Sequence, residues 1–213
     1  MNKDVGANST SAPSAAPTAP VDGDQRSAFL KRALVVGGAA VAGGALAGAP
    51  RLVNAQGGND DVRVLNLALL VEYTEAAFYD QALASGKLTG EVREFAEQVA
   101  AQESEHVAFL KAALGNKADP KPKFDFGDRV SDPERFAATA AELEDLAVAT
   151  YNGQATNVSK KTLAAAAKIV SVEARHAAWI RSIVGAPPAP DATDTPKSAD
   201  EVLDGLTAIG LKR

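Results

Sequence analysis

The 213-residue chain has two histidines, His106 and His176, and each follows a glutamate by three positions, in Glu103-Ser104-Glu105-His106 and Glu173-Ala174-Arg175-His176. On a helix, residues three apart share a face, so carboxylate and imidazole can grip one divalent cation together. Two copies imply two cations. With twelve glutamates in the chain, chance places one three positions ahead of both histidines in roughly one chain in three hundred.

A second repeated element lies upstream of each pair: a glutamate followed seven residues later by a tyrosine, Glu72 with Tyr79 and Glu144 with Tyr151. Seven residues are two helical turns, so each glutamate shares a face with its tyrosine. Glu72 precedes Glu103 by 31 positions and Glu144 precedes Glu173 by 29, as two copies of one helical hairpin would give. All four glutamates interrupt apolar stripes, where an ionised carboxylate is costly unless paired or metal-bound. No Lys or Arg on those stripes can pair with them. Two divalent ions would balance the four carboxylates with both imidazoles neutral. The alternative is a set of buried polar groups that satisfy one another, at the expense of carboxyl pKa values forced upward.

Neighbouring residues divide by angle around the helix. Glu105 and Glu142 lie about 200° from Glu103 and Glu144 and should face solvent, whereas Glu75 is only about 60° from Glu72 and is a candidate alternative or additional ligand. Trp179, three residues after His176, is either a wall of the site or ordinary core.

Four helices must carry these residues. The first is expected from about Asp60 to Ser85, with Asn59 as its cap and Gly86 past its end, along a stripe of Leu65, Leu69, Glu72, Ala76, Tyr79 and Leu83. The second is expected from about Gly90 to Leu114, on Phe95, Val99, Glu103, His106, Leu110 and Leu114. Residues 115–132 lack a helical period and contain Pro120 and Pro122. Eighteen residues can extend roughly 60 Å, about twice the length of a 20-residue helix, so this connection can cross a whole bundle. The third helix is expected to open at Asp132-Pro133 and to present Phe136, Ala140, Glu144, Val148 and Tyr151. The fourth is expected from about Ser159 to Val184, on Leu163, Ala166, Val170, Glu173, His176, Ala177, Ile180 and Ile183. After a proline-rich linker, Ser198-Ala-Asp-Glu201 reads as a capping box opening a short helix with Val202, Leu203, Leu206 and Ile209 on its apolar face. That face suits either docking on the bundle or a contact between copies of the chain.

The expected organisation is thus a segment 1–57 outside the fold, an all-α four-helix bundle at 58–185 with a long crossover between helices 2 and 3, and a linker with a short helix at 186–213. Residues 1–25 are rich in Ala, Ser, Pro and Thr and should be disordered. A basic stretch at 26–32, an apolar Gly- and Ala-rich stretch at 33–50 and Val53-Asn-Ala55 read as an export signal, with cleavage after Ala55. The segment resembles a twin-arginine signal through Phe29, Leu30 and Lys31, although Ser27 stands in place of the second arginine. Uncleaved, the same stretch would be a weakly hydrophobic membrane anchor. The expected location is therefore the periplasm, the cell envelope or the medium.

A net charge of −5 and the lack of a basic cluster beyond the signal exclude nucleic acid as an expected partner. The absence of cysteine excludes thiolate sites, iron–sulfur clusters and disulfides. Met1 is the one methionine, so the mature chain lacks sulfur, as would suit a protein handling oxygen or peroxide. A bias toward Ala, Gly and Val codons gives the same composition.

On both Glu-x-x-His motifs, both Glu-x6-Tyr motifs and the crossover, residues 60–185 resemble the ferritin-like superfamily of di-iron and di-manganese carboxylate proteins, in particular its exported members. The resemblance implies a four-helix bundle in which Glu103 and Glu173 bridge two metals, Glu72 and Glu144 each cap one, and His106 and His176 complete the set. Tyr79 and Tyr151 would be the catalytic-site donors that orient carboxylates. It further implies two iron ions, or two manganese ions, and a reaction with oxygen or peroxide such as iron oxidation. A manganese catalase-like dismutation of peroxide shares the ligand set. A non-catalytic envelope or stress-protection protein is the reading outside enzymes. A hollow iron-storage shell is less expected, and a homo-oligomer is compatible with the sequence.

Overall fold

The structure, a computed structural model, describes residues 58–212. The proposed export signal and its cleavage site lie outside the described residues. Among the described residues, five α-helices and one small sheet make up the fold: α1 (Gly58–Ala84), α2 (Gly90–Leu114), α3 (Pro133–Gln154), α4 (Lys160–Ile183), α5 (Ala199–Ile209), and the strands β1 (Lys123–Phe124) and β2 (Leu211–Lys212). Helices α1 and α2 form one hairpin, α3 and α4 the other, and residues 115–132 join them. Among the described residues no helix is long and apolar enough to cross a membrane.

Capping chemistry sets the starts of α3, α4 and α5. Asp132 accepts hydrogen bonds from the backbone N–H groups of Glu134 and Arg135 at the start of α3, with Pro133 in the first turn where its missing N–H is not needed. Ser198 and Glu201 form the reciprocal capping box of α5. Helix α1 begins two residues earlier than its sequence suggests, so Asn59 lies inside its first turn instead of capping it. Ser159 caps α4 through the Thr162 N–H. Asp61, near the start of α1, accepts from the Ser159 N–H at 2.7 Å, the Ser159 hydroxyl at 2.7 Å and the Thr162 hydroxyl at 2.8 Å. One buried acid thereby ties the two hairpins at one end of the bundle.

That tie corrects the expected face of α4. Because Thr162 is held inward by Asp61, the buried line runs Thr162, Ala165, Ile169, Glu173, His176, Ala177 and Ile180, and Leu163 is turned out, 40% exposed. The expected phase at Leu163 was off by one residue, about 100° of rotation, and only met the true one at Glu173.

Helix α1 is the central element. From Val71 to Tyr79 every residue is buried, because α2, α3 and α5 all pack around it. A helix covered on all sides has no polar face to discard. The apolar core divides into two clusters: one around Phe78, Tyr79, Phe95 and Phe136, the other around Leu69, Tyr73, Leu110 and Tyr151. Phe78 stacks on Phe136 at 5.1 Å and meets Phe126 of the crossover edge-on at 5.3 Å. Each such ring contributes roughly 2–3 kcal/mol on burial.

The crossover and the C-terminus are fastened to each other. β1 and β2 pair antiparallel with Lys123 opposite Lys212 and Phe124 opposite Leu211, and the Asp125 N–H donates to the Gly210 carbonyl at 2.8 Å. Val202, Leu206 and Ile209 of α5 enter the core beside Leu146, so the apolar face of α5 docks on its own bundle. The linker before it lies directly on α3, where the Lys197 N–H donates to the Ala149 carbonyl at 3.0 Å. Only glycine fits at position 153, since a Cβ there would come within 1.9 Å of the Lys197 carbonyl oxygen.

Candidate metal centre

Each of the four bundle helices brings an acid to the same level. Glu72 and Glu75 come from α1, Glu103 and His106 from α2, Glu144 from α3, Glu173 and His176 from α4. All five glutamates are fully buried. His106 Nδ1 lies 2.8 Å from Glu173 Oε1, 3.1 Å from Glu103 Oε2 and 3.2 Å from Glu72 Oε2. His176 Nδ1 lies 3.1 Å from Glu103 Oε1, 3.3 Å from Glu144 Oε2 and 3.4 Å from Glu173 Oε2. Glu103 and Glu173 therefore send one oxygen to each histidine, while Glu72 and Glu144 each serve one.

Two overlapping groups result, Glu72, Glu103, His106 and Glu173, and Glu103, Glu144, Glu173 and His176, each with donor atoms within 4.8 Å of one another. All six residues singled out by spacing are brought together. Glu105 and Glu142 are exposed, as their angles suggest. Trp179 packs edge-on against Phe95 at 5.1 Å, and Phe95 in turn against Tyr79 at 5.9 Å, so Trp179 stands one ring away from the centre's tyrosine.

The tyrosines exchange partners between the repeats. The Tyr79 hydroxyl, on the helix of Glu72, donates to Glu144 Oε1. The Tyr151 hydroxyl, on the helix of Glu144, donates to Glu72 Oε1 at 2.6 Å. Each phenol thus fixes the acid of the opposite hairpin and leaves that acid's second oxygen facing inward. Spacing alone marks both tyrosines without telling which carboxylate each one holds.

Gln102 has no such marker. Its Oε1 lies 2.6 Å from His176 Nε2, which leaves Nδ1 as the ring atom aimed at the carboxylates. It sits 74 positions from the histidine it serves, so only the packing of α2 against α4 reveals it. His106 has its side chain 12% exposed against 4% for His176, which makes its edge the more open side of the centre.

The donor set is short of positive charge. Glu72 Oε2, Glu103 Oε1, Glu144 Oε2, both Glu173 oxygens and His176 Nδ1 are buried without a hydrogen-bond partner. Each imidazole Nδ1 can offer one proton, yet three carboxylate oxygens surround it. Burial, with Glu173 and Glu103 alongside, pushes Glu72 well above the usual carboxylate range. Burial likewise pushes Glu144 up to about 8 against the opposing pull of His176. Glu103 is the exception, because the imidazoles of His106 and His176 beside it outweigh burial and hold it at about 2. For His106, burial lowers the pKa, but the neighbouring carboxylates of Glu103, Glu173 and Glu72 outweigh it and raise the group above its ordinary value. His176 is raised in the same way, by Glu144, Glu103 and Glu173 against burial. Carboxylate oxygen and imidazole nitrogen without sulfur are the donors that suit iron and manganese. The residues fit a pair of divalent cations.

A bundle that takes one carboxylate from each of two helices and a Glu-x-x-His pair from each of the other two defines a class, the ferritin-like bundles. The family model of the ferritin-like domain matches residues 60–186, and the chain belongs to that family. No curated protein matches the sequence.

Proposed function

We propose that this protein is an exported di-metal oxidoreductase that holds two iron ions and reacts with oxygen or peroxide. The observation that carries the reading is the sharing of Glu103 and Glu173 between two otherwise separate half-sites. One position would be held by Glu72 and His106, the other by Glu144 and His176, with Glu103 and Glu173 common to both. When bound, a pair of redox-active ions supplies two electrons, one from each, to reduce the oxidant.

The chain supplies the rest. Tyr79 and Tyr151 hold the two terminal carboxylates through one oxygen each, so that the other oxygen is presented inward. The two apolar clusters on either side keep bulk water out and strengthen the field inside. Gln102 fixes the His176 ring. The less covered His106 edge is the approach for a small oxidant. Export rests on the basic and apolar stretches at 26–50 and the small residues before Gln56.

Anaerobic loading with iron(II) followed by exposure to air tests the reading. The wild-type protein should oxidise iron(II) faster than buffer, and Glu103→Ala should abolish both binding and oxidation. Two bound irons with no faster oxidation than buffer would refute the iron-oxidising activity. Oxygen evolution from peroxide by the manganese-loaded protein, absent from the iron-loaded one, would reassign the centre to peroxide dismutation.

A further inference from the structure

Each half-site has one imidazole, but the two imidazoles are not held alike. His176 Nε2 lies 2.6 Å from Gln102 Oε1. An amide oxygen only accepts, so Nε2 carries the proton of that bond. A ring anchored through Nε2 keeps Nδ1 turned toward Glu103, Glu144 and Glu173. The anchor comes from α2 and the ring from α4, so it forms only when the two hairpins close on each other.

His106 lacks such an anchor. Gln102 stands one residue before Glu103, and in the register of the internal repeat the residue one before Glu173 is Val172. A valine side chain has no acceptor to offer. The repeats match at glutamate, tyrosine and histidine and differ here. Among the described residues, the short polar contacts of His106 all run through Nδ1, to Glu72, Glu103 and Glu173. Those carboxylates are the ones a cation would take over, so they are not an independent hold on the ring. The His106 side chain is also the more exposed of the two.

A neutral imidazole binds a metal through the nitrogen that has no proton. An unanchored ring must therefore settle both its tautomer and its rotation when the ion arrives, whereas an anchored ring has settled them during folding. We propose that Gln102 is the positioning residue of the metal position built by Glu144 and His176, and that this position fills before the one built by Glu72 and His106, whose imidazole the chain leaves unanchored. The proposal rests on the di-metal reading above.

Titration of the folded chain with manganese(II), followed by the resonance signal of the free ion, tests it without reference to turnover. The wild-type protein should take up two ions in two resolved steps. Gln102→Leu removes the acceptor and should weaken the tighter step by about 10–100-fold. Gln102→Glu keeps an acceptor at the same reach and should keep that step tight. Gln102→Ala, at a half-buried position of α2, should repeat the Gln102→Leu result in a second folded background. The loss should persist when Gln102→Leu is added to His106→Ala, which keeps the His176 position, and should be absent when it is added to His176→Ala. With two histidines in the chain, nitrogen-15 spectra of the metal-free protein read the anchor directly. The His176 Nε2–H should exchange slowly with water and lose that protection in Gln102→Leu. Wild-type affinities in Gln102→Leu and Gln102→Ala, or two equal steps in the wild-type protein, would overturn the role of Gln102 and leave the di-metal centre standing. No manganese or iron bound by the wild-type protein would overturn both.

Discussion

Protons and the proposed metal ions would compete for the same oxygens in this centre, and the competition has a definite direction. Between its ordinary value of 4.5 and the value of about 8 imposed mainly by burial, Glu144 keeps a proton in the folded chain that the unfolded chain has lost. Stability therefore falls as pH rises through that interval. His106 and His176, raised above their ordinary value of 6.5, add to the same trend, since the stability they lend is full below 6.5 and fades as pH climbs through their folded values. Glu103, held at about 2, acts oppositely, and its contribution disappears as pH drops from 4.5 toward 2. In the presence of a chelator the melting temperature should peak near pH 5 and decline toward pH 8. With manganese(II) or iron(II) bound, protons are displaced and the decline should flatten. A chelated protein whose melting temperature climbs from pH 5 to pH 8 would contradict this ordering. The tyrosines make a separate prediction. Tyr151→Phe removes the 2.6 Å bond to Glu72 and should weaken metal binding by about 10–100-fold while leaving helix content by circular dichroism unchanged.

Helices are joined here by a few contacts whose loss should be visible in stability. Asp61→Ala removes three acceptor bonds that link α1 to the start of α4. The expected loss is about 2–3 kcal/mol in chemical denaturation, from the donors of Ser159 and Thr162 left unsatisfied. Gly153→Ala forces the linker off α3 at Lys197 and should lower the denaturation midpoint and expose the linker to limited proteolysis. An unchanged midpoint and cleavage pattern would show that the linker is not seated there. These tertiary devices explain where the sequence was readable and where it was not. The starts of α3 and α5 could be read from Asp132-Pro133 and Ser198-x-x-Glu201 because capping is chemistry local to four residues. The phase of α4 at Leu163 could not, because a threonine held by an acid about a hundred positions away decides it. Two-residue strands such as β1 and β2 carry no periodic signal at all.

Within the described residues, two similar hairpins close around a polar midpoint, with the crossover and C-terminal helix packed against them. The six residues of the paired half-sites were legible because each belongs to a repeated spacing on a 3.6-residue period, and two copies of a rare residue suffice to reveal it. Three features escaped that logic. The exchanged tyrosine partners and the Gln102 bond to His176 depend on which helices meet. Glu75 looked ambiguous because 60° from the centre of a stripe is half-exposed on an ordinary helix, but α1 is enclosed by α2, α3 and α5 and has no exposed side there. The central claim is that the buried acids converge because two cations sit among them. Anomalous diffraction from crystals of the iron- or manganese-loaded protein tests it most directly. Two peaks are expected, one bounded by Glu72, Glu103, Glu173 and His106, the other by Glu103, Glu144, Glu173 and His176. A fully loaded crystal with no peak at that level of the bundle, or with metal only at surface acids, would contradict it.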